Sequence, residues 1–232
     1  MTVFWLEQRD PDVPDRDEWL GPVERARMQR FLFAKRRADW RLGRWTAKNA
    51  VALHLGLEDL PRIEIIASES GAPEVFLDGE AAPVAISLSH SSGVAACAVC
   101  PAGVSLGCDI EKIEPRGDLF YADYFTSAEQ MMLRNDTSGD RARLATILWS
   151  AKESTLKALR EGLRMDTRSV AVVCVAPARG EEQWSHLAVR TEAKEMFEGW
   201  WREAGGLVRA MVASSPAAPP VPLRAAECGA AR

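Results

Sequence analysis

The sequence lacks the features of a membrane protein, a secreted protein or a nucleic-acid-binding polycation. Residues 83–108 carry no charged side chain, but polar, proline and glycine residues divide that stretch into pieces too short to cross a bilayer. The N-terminus shows no basic segment followed by a long apolar one, so we expect no signal peptide and a cytoplasmic location. The net charge is −4, so we expect no nucleic-acid partner and no membrane partner.

Cysteine is scarce and is not arranged as a disulfide framework or a zinc site. The chain has five cysteines, an odd number, and no second C-x-x-C pair accompanies Cys97 and Cys100. These two lie in an apolar strand-like run, where residues three apart point to opposite faces of the sheet. We therefore interpret the cysteines as packing residues in a reducing compartment.

The composition and pattern predict an α+β (α/β) protein in two halves. With 232 residues, 47% of them hydrophobic and 27% charged, the chain forms one large domain or two small ones. We place the halves at residues 1–103 and 104–213. Residues 214–232 contain four prolines and six alanines, which predicts a disordered tail. Helices are predicted at 22–57, 127–133, 141–159 and 193–203, and strands at 2–8, 63–67, 84–88, 94–100, 104–113, 169–176, 186–191 and 207–214.

Basic residues are concentrated in the first predicted helix. Between Glu24 and Lys48 there are nine basic and two acidic side chains, a local excess of seven positive charges in an acidic protein. One interpretation is an ordinary solvated helix face. The other is a surface that binds phosphate groups.

Two carboxylates share one face of a predicted strand. In residues 104–111 apolar side chains alternate strictly with others, so Asp109 and Glu111 leave the strand on the same side. Carboxylates about 7 Å apart repel each other unless a cation lies between them, and such hard oxygen ligands suit Mg²⁺. The alternative is a solvated strand face.

A third carboxylate lies on a predicted helix with a lysine one turn further on. Glu153 and Lys157 are four residues apart and share a helix face. They form either a surface ion pair or a metal ligand beside a cation that holds phosphate. Ser89 and His90 lie in a predicted polar turn between two apolar strands, which is able to bind an anion. The sequence contains no P-loop and no dinucleotide-binding glycine motif.

Together these segments resemble the 4′-phosphopantetheinyl transferases, in particular the longer, surfactin-synthetase-type branch. The segment 107–111 (GCDIE) resembles the G-[IV]-D-[IV]-E motif of that family, and 149–157 (WSAKESTLK) resembles its W-[SA]-x-K-E-[SA]-x-x-K motif. The segment 86–91 (ISLSHS) resembles its N-[IL]-S-H-[ST] segment, and 24–31 resembles its basic helix. The resemblance covers about residues 22–165.

The resemblance implies a monomeric pseudo-dimer of two similar α/β halves with coenzyme A in the cleft between them. It also implies the reaction: a serine hydroxyl of an acyl or peptidyl carrier protein attacks the β-phosphate of coenzyme A. Phosphopantetheine is transferred and 3′,5′-ADP leaves. Mg²⁺ is the implied cofactor, with Mn²⁺ as a substitute, and fatty-acid, polyketide or nonribosomal-peptide biosynthesis is the implied setting.

The resemblance also assigns roles to individual residues. The Mg²⁺ ligands are Asp109, Glu111 and Glu153, with Asp109 also next to coenzyme A. Lys157 is the cation on the pyrophosphate, and Glu129 resembles the general base proposed in relatives. The residues implied to contact coenzyme A are Arg27, Arg44, Lys48, Ser89, His90, Lys152 and Lys157.

Two positions depart from the family pattern. Ala72 stands where the family often has the lysine of Gly-Lys-Pro, so a contact to coenzyme A is missing, and Arg37, Arg44 or Lys48 is expected to compensate. Cys108 replaces a β-branched residue on the face opposite the carboxylates, where it should alter only packing.

Two other functions use the same residue types. A Mg²⁺-dependent nuclease of the restriction-endonuclease type also combines acidic residues with a lysine. There, however, the second acid and the lysine lie two apart on a strand, not four apart on a helix. A non-catalytic module that binds coenzyme A or a carrier protein is the second alternative, and three carboxylates with Lys157 disfavour it.

Overall fold

Two sheets pack face to face between two long helices. The computed structural model describes residues 1–137, 139–180, 182–215 and 218–224. The helices are α1 (Pro22–Met28), α2 (Ala34–Leu55), α3 (Asp118–Tyr124), α4 (Ser127–Arg134) and α5 (Arg141–Ala158). The strands are β1 (Phe4–Arg9), β2 (Ile63–Ala67), β3 (Pro73–Leu77), β4 (Glu80–Ala81), β5 (Val84–Ser91), β6 (Val94–Pro101), β7 (Leu106–Lys112), β8 (Val170–Val175), β9 (Ser185–Thr191), β10 (Met196–Ala204), β11 (Leu207–Ala213) and β12 (Val221–Pro222).

The layers run from α2 through the first sheet and the second sheet to α5. The first sheet has the order β12-β1-β6-β5 and the second β7-β11-β10-β9-β8, with a small β2-β3-β4 sheet beside α2. Cys97 packs in the core under α2, whereas Cys100 packs in the core between the sheets. The α+β class and the opposite directions of these two thiols are confirmed. The chain passes from the first sheet to the second at the turn around Gly103.

The turn between β5 and β6 is tighter than expected. Only Ser92 and Gly93 lie between the paired residues Ser91 and Val94, and both have positive φ, 53° and 74°. Two such residues are typical of a type I′ hairpin turn. Ser89 and His90 therefore lie in strand β5, not in a turn, and the predicted Ser89–Gly93 loop is wrong.

The first predicted helix is broken into two. Glu24 of α1 is buried against Lys48 of α2, which lies 24 residues further along the chain. In one continuous helix these residues would be about 36 Å apart, so the buried ion pair requires the chain to reverse. It does so over residues 29–33, where Leu32 and Phe33 are exposed.

The helix predicted over residues 193–203 is wrong. The segment forms β10, which pairs with β9 on one side and β11 on the other. Phe197 and Trp201 alternate with more exposed residues and bury their rings under α5. The local preference of the segment for helix is overridden by strand partners on both sides, one of which lies later in the chain.

The predicted disordered tail is wrong for part of its length. Val221 and Pro222 form β12 beside β1, and the amides of Val221 and Leu223 donate to the carbonyls of Val3 and Trp5 at 2.9 and 2.8 Å. Residues 216–217 and 225–232 lie outside the described residues. Within the described ranges, no helix combines the length and apolar character needed to span a membrane.

Candidate active site

Strand β7 presents two carboxylates to helix α5. Cys108 and Ile110 are buried between the two sheets, while Asp109 and Glu111 are hydrogen-bonded by side chains of α5. The predicted alternation along this strand is confirmed, and Cys108 packs on the face opposite the carboxylates, where its thiol also donates to the carbonyl of Ser87 at 3.1 Å.

Gly107 allows α5 to lie directly on β7. A Cβ atom added at Gly107 would lie 1.7 Å from the carbonyl oxygen of Ser154 and 2.8 Å from the amide nitrogen of Ala158. Any side chain here would push the helix backbone away from the strand. The glycine of the motif thus sets how closely Glu153 and Lys157 approach the carboxylates of β7.

Asp109 is the centre of the polar cluster. Its Oδ1 accepts hydrogen bonds from Ser89 Oγ and from Lys157 Nζ, both at 2.8 Å, and its Oδ2 accepts one from Ser150 Oγ at 2.8 Å. The residue is 3% exposed. Three donors from two elements of the fold therefore hold this carboxylate in one orientation at the junction of β5, β7 and α5.

Glu111 and Glu153 are the other two carboxylates of the cluster. Glu111 accepts from Trp149 Nε1 at 3.2 Å and lies 3.5 Å from Arg116. Burial raises the pKa of Glu111 and the charge of Asp109 adds to this shift. Burial also raises the pKa of Glu153; Lys157 opposes the shift, while Asp109 and Glu111 add to it. The three acids repel one another in a partly dehydrated site.

Lys157 is the cation of the cluster. Burial alone would lower its pKa, but the charges of Asp109 and Glu153 reverse the shift and raise it. Its Nζ also donates to the carbonyl of Cys108 at 3.1 Å, and its side chain is 27% exposed. Lys157 is therefore fully charged at neutral pH and retains a face toward solvent.

A cleft of about 890 Å³ begins at Lys157. Its walls come from both sides of the molecule: β3, β5, the Ala102–Ser105 turn and the end of α5. Arg44 of α2 and Ala72 also line the cleft. A second cavity of about 350 Å³ adjoins it and shares Arg44 and Ala67 with it. The space is large enough for an elongated small molecule.

The basic residues of α1 and α2 differ in their access to these cavities. Arg27 is exposed and lines the second cavity, and Arg44 lines both. Burial lowers the pKa of Arg44, and the nearby charge of Arg27 adds to this effect. Lys48 is fully buried against Glu24, so it stabilises the α1–α2 pair and does not reach the cleft. Of Arg44 and Lys48, only Arg44 lines the cleft together with Ala72.

His90 lies beside the cluster at the end of β5. Loss of hydration lowers the pKa of its imidazole; Asp39 opposes the shift, and Lys157 and Lys35 add to it. The preceding residue, Ser89, is hydrogen-bonded to Asp109. The structure therefore brings Ser89 and His90 to the carboxylates and to the N-terminal end of α2.

Glu129 and Lys152 are not brought to this cluster. They form an ion pair of 2.9 Å with both side chains 0% exposed. Glu129 also closes the capping box of α4 with Thr126 and accepts from the amide of Val172, and Lys152 donates to the carbonyls of Thr167 and Val170. Burial lowers the pKa of Lys152, against the effect of Glu129. The hydrogen bonds of both residues join α4, α5 and β8.

Sequence reasoning missed three residues of the cluster. Ser150 and Trp149 orient Asp109 and Glu111, and Arg116 lies against Glu111 and stacks over Phe120 at 4.6 Å. Ser150 and Trp149 lie in segment 149–157, which also contains Glu153. The resemblance of that whole segment to the family motif could therefore have indicated both residues. Nothing in the sequence around Arg116 points to the site.

The donor chemistry of the cluster fits Mg²⁺. Carboxylate oxygens are the ligands that this ion prefers, and the mutual repulsion of Asp109, Glu111 and Glu153 is what a divalent cation would relieve. Across the described ranges, no three His, Cys, Asp or Glu side chains are already gathered as a metal site. Here Lys157 neutralises Asp109 instead.

Comparison with known proteins finds similarity to one superfamily. Residues 105–196 match the sequence model of the 4′-phosphopantetheinyl transferase superfamily. The chain is 26% identical over 177 residues to the 4′-phosphopantetheinyl transferase HetI of Nostoc sp. (strain PCC 7120), covering 75% of this chain and 74% of that protein. The chain is thus similar to proteins of the 4′-phosphopantetheinyl transferase superfamily, over residues 105–196 in the sequence model and over 177 residues in HetI. These matches do not separate its branches, so the surfactin-synthetase-type branch stays a prediction.

Two further similarities are more limited. A short segment covering 21% of this chain is 49% identical to the fatty acid synthase subunit alpha of Schizosaccharomyces pombe, of which it covers 3%. The crystal structure of the holo-ACP-synthase from Plasmodium yoelii aligns with a TM-score of 0.37 and 18% identity, over 42% of this chain and 91% of that one.

Replacing Glu153 by glutamine should stabilise the metal-free protein at pH 7. A carboxyl whose pKa is raised on folding costs stability when charged, so the gain should be present at pH 7 and vanish as the pH falls below about 4.5, where Glu153 is protonated in both states. Thermal unfolding with a chelator should show a rise of about 2–4 °C for each kcal/mol gained. Glu58→Gln, at an exposed position, is the control. A fall in the Glu153→Gln melting temperature would mean that the attraction between the charges of Glu153 and Lys157 outweighs the cost of burial.

Proposed function

We propose that this protein transfers 4′-phosphopantetheine from coenzyme A to a serine of an apo acyl or peptidyl carrier protein, with Mg²⁺, releasing 3′,5′-ADP. The observation that carries the proposal is the cluster of Asp109, Glu111, Glu153 and Lys157 at one end of a cleft lined from both sides of the molecule. The superfamily match covers these four residues.

Charge neutralisation and positioning are what phosphoryl transfer requires of a protein. Lys157 is charged, partly exposed and adjoins the cleft, so it can hold the pyrophosphate and stabilise charge as its bridging bond breaks. Asp109, Glu111 and Glu153 would hold Mg²⁺, which when bound supplies further neutralisation of the pyrophosphate. Ser89 and Ser150 keep Asp109 in place for this role.

The proton of the attacking serine hydroxyl needs an acceptor. Glu129 is completely buried in its ion pair with Lys152, so we do not assign the role to it. Lys152, its buried partner, likewise keeps a structural role.

The nuclease alternative loses support from the fold. Glu153 and Lys157 lie on helix α5, not two apart on a strand. A non-catalytic module that only binds coenzyme A or a carrier protein would not need three carboxylates that repel one another. It would not need a charged lysine between those carboxylates and a cleft either, so this alternative is disfavoured. Monomeric state and cytoplasmic location stay predictions.

Removing the 3′-phosphate of coenzyme A should weaken its binding by at least about tenfold, since each charge-assisted hydrogen bond contributes about 1.5–3 kcal/mol. His90 and Arg27 are the proposed partners of that phosphate, since the hydroxyl of Ser89 donates to Asp109. Calorimetry with coenzyme A and dephospho-coenzyme A measures the difference.

Two variants locate the contact. His90→Gln should shrink the difference between the two ligands, while His54→Gln, on α2 and in contact with Phe4, should leave it unchanged. Equal affinity of the unaltered protein for both ligands would reject this placement of the 3′-phosphate.

A further inference from the structure

A second cluster of reactive side chains lies on the outer part of the second sheet. The Sγ of Cys174 on β8 is 3.9 Å from Nδ1 of His186 on β9. The other ring nitrogen of His186, Nε2, is hydrogen-bonded to Oε2 of Glu198 on β10. The imidazole thus lies between a thiol and a carboxylate, and the three groups come from three adjacent strands. This is the order in which a base activates a nucleophile while a third group orients the base.

A strand irregularity turns Cys174 toward this cluster. Val172 pairs with Val189 and both are buried under α5, but the next pair is Cys174 with Ala188, so the register shifts at Val173. In a regular strand residues 172 and 174 would point to the same face. The bulge instead places Cys174 opposite to Val172, and such bulges often re-aim a side chain at functional positions.

Cys174 differs from the other described cysteines in its exposure to solvent. Cys97, Cys100 and Cys108 are buried, whereas Cys174 is exposed and all four are free. His186 and Glu198 are each more than a third exposed, so a small molecule can reach the cluster. Its position is four strand spacings from β7, about 19 Å across the sheet, and on the face away from α5. It is therefore not part of the site around Asp109.

We propose that Cys174 is an activated thiol that forms a mixed disulfide with small disulfide molecules. Nδ1 of His186 accepts the thiol proton while Nε2–H donates to Glu198. The Cys174 thiolate attacks one sulfur of the disulfide, a new S–S bond forms and the old one breaks, and the second sulfur leaves as a thiolate that takes the proton from His186. One disulfide is consumed and one formed, so no further oxidant is needed.

The test is the rate of reaction with 5,5′-dithiobis(2-nitrobenzoate) at pH 7, followed by the absorbance of the released thiolate. Cys228, which lies outside the described residues, is replaced by serine in every protein so that Cys174 is the reporting thiol. The expected product is one mixed disulfide at Cys174, located by peptide mass spectrometry. Cys174→Ser should abolish the fast reaction.

Two variants test the role of the cluster and one serves as a control. His186→Gln should slow the reaction at least about threefold, a size limited because a more stable thiolate is also a weaker nucleophile. Glu198→Gln should slow it in the same direction, and Glu195→Gln, at an exposed turn position, should not. Circular dichroism checks that each variant is folded. If folded His186→Gln reacts as fast as the unaltered thiol, or if Cys174 is not the residue modified, the proposal is overturned.

Discussion

Lys157→Ala should lower kcat for phosphopantetheine transfer by about 10²–10³, the effect of removing one preorganised contact to a developing negative charge. In the structure Lys157 is the positively charged group on Asp109, and its partly exposed side chain adjoins the cleft. Its loss removes stabilisation that a metal ion cannot replace at the same position. Raising the Mg²⁺ concentration should therefore not restore the rate.

Steady-state rates across a Mg²⁺ titration distinguish Lys157→Ala from Glu153→Gln. Glu153→Gln should weaken metal binding, so higher Mg²⁺ should recover part of its rate. Lys112→Ala, at an exposed position at the end of β7, is the matched control and should retain the rate. If these residues formed only a surface ion pair, each change would cost less than about fivefold. Near-normal kcat in both Lys157→Ala and Glu153→Gln would contradict the assignment of this cluster as the active site.

Lys152→Met should destabilise the protein by about 3–5 kcal/mol, because it leaves Glu129 as a buried charge without its partner. Both side chains are 0% exposed, and the ammonium also satisfies two backbone carbonyls. For a chain of this size the loss corresponds to a fall of about 10 °C in melting temperature. Denaturant unfolding and thermal unfolding both measure it.

The same variant tests whether Lys152 contacts coenzyme A. Below its melting temperature, folded Lys152→Met should bind coenzyme A with unchanged affinity, because the side chain is enclosed by α4, α5 and β8. Lys194→Met, at an exposed turn position, controls for the loss of a charge. The combined change Glu129→Leu with Lys152→Met should recover much of the lost stability, since neither charge is then left alone. If Lys152→Met has a normal melting temperature but binds coenzyme A more weakly, then Lys152 contacts coenzyme A.

Local patterns predicted the parts of the site that depend on single elements. Strict alternation in β7 placed Asp109 and Glu111 on one face, and hydrogen bonds from α5 to both carboxylates agree with this. Helical spacing in α5 placed Glu153 and Lys157 on one face, and the charge of each shifts the pKa of the other. Patterns of this kind are short-range, so the sequence suffices to predict them.

Features that depend on distant partners were not predictable. The break after α1 follows from the burial of Glu24 against Lys48, and β10 forms because β9 and β11 flank it. The same limit applies to Glu129, because the sequence around it does not show that Lys152 is buried against it. Docking of Val221 and Leu223 on β1 likewise depends on an open strand edge at the other end of the chain.

Mass spectrometry of apo carrier proteins tests the central claim most directly. A panel of acyl and peptidyl carrier proteins is incubated with the folded protein, coenzyme A and Mg²⁺, with carriers lacking the acceptor serine as controls. The account predicts that at least one carrier gains the mass of one phosphopantetheine on that serine, and that Lys157→Ala produces the same product far more slowly. No mass gain on any carrier, with protein that is folded and binds coenzyme A, would contradict it.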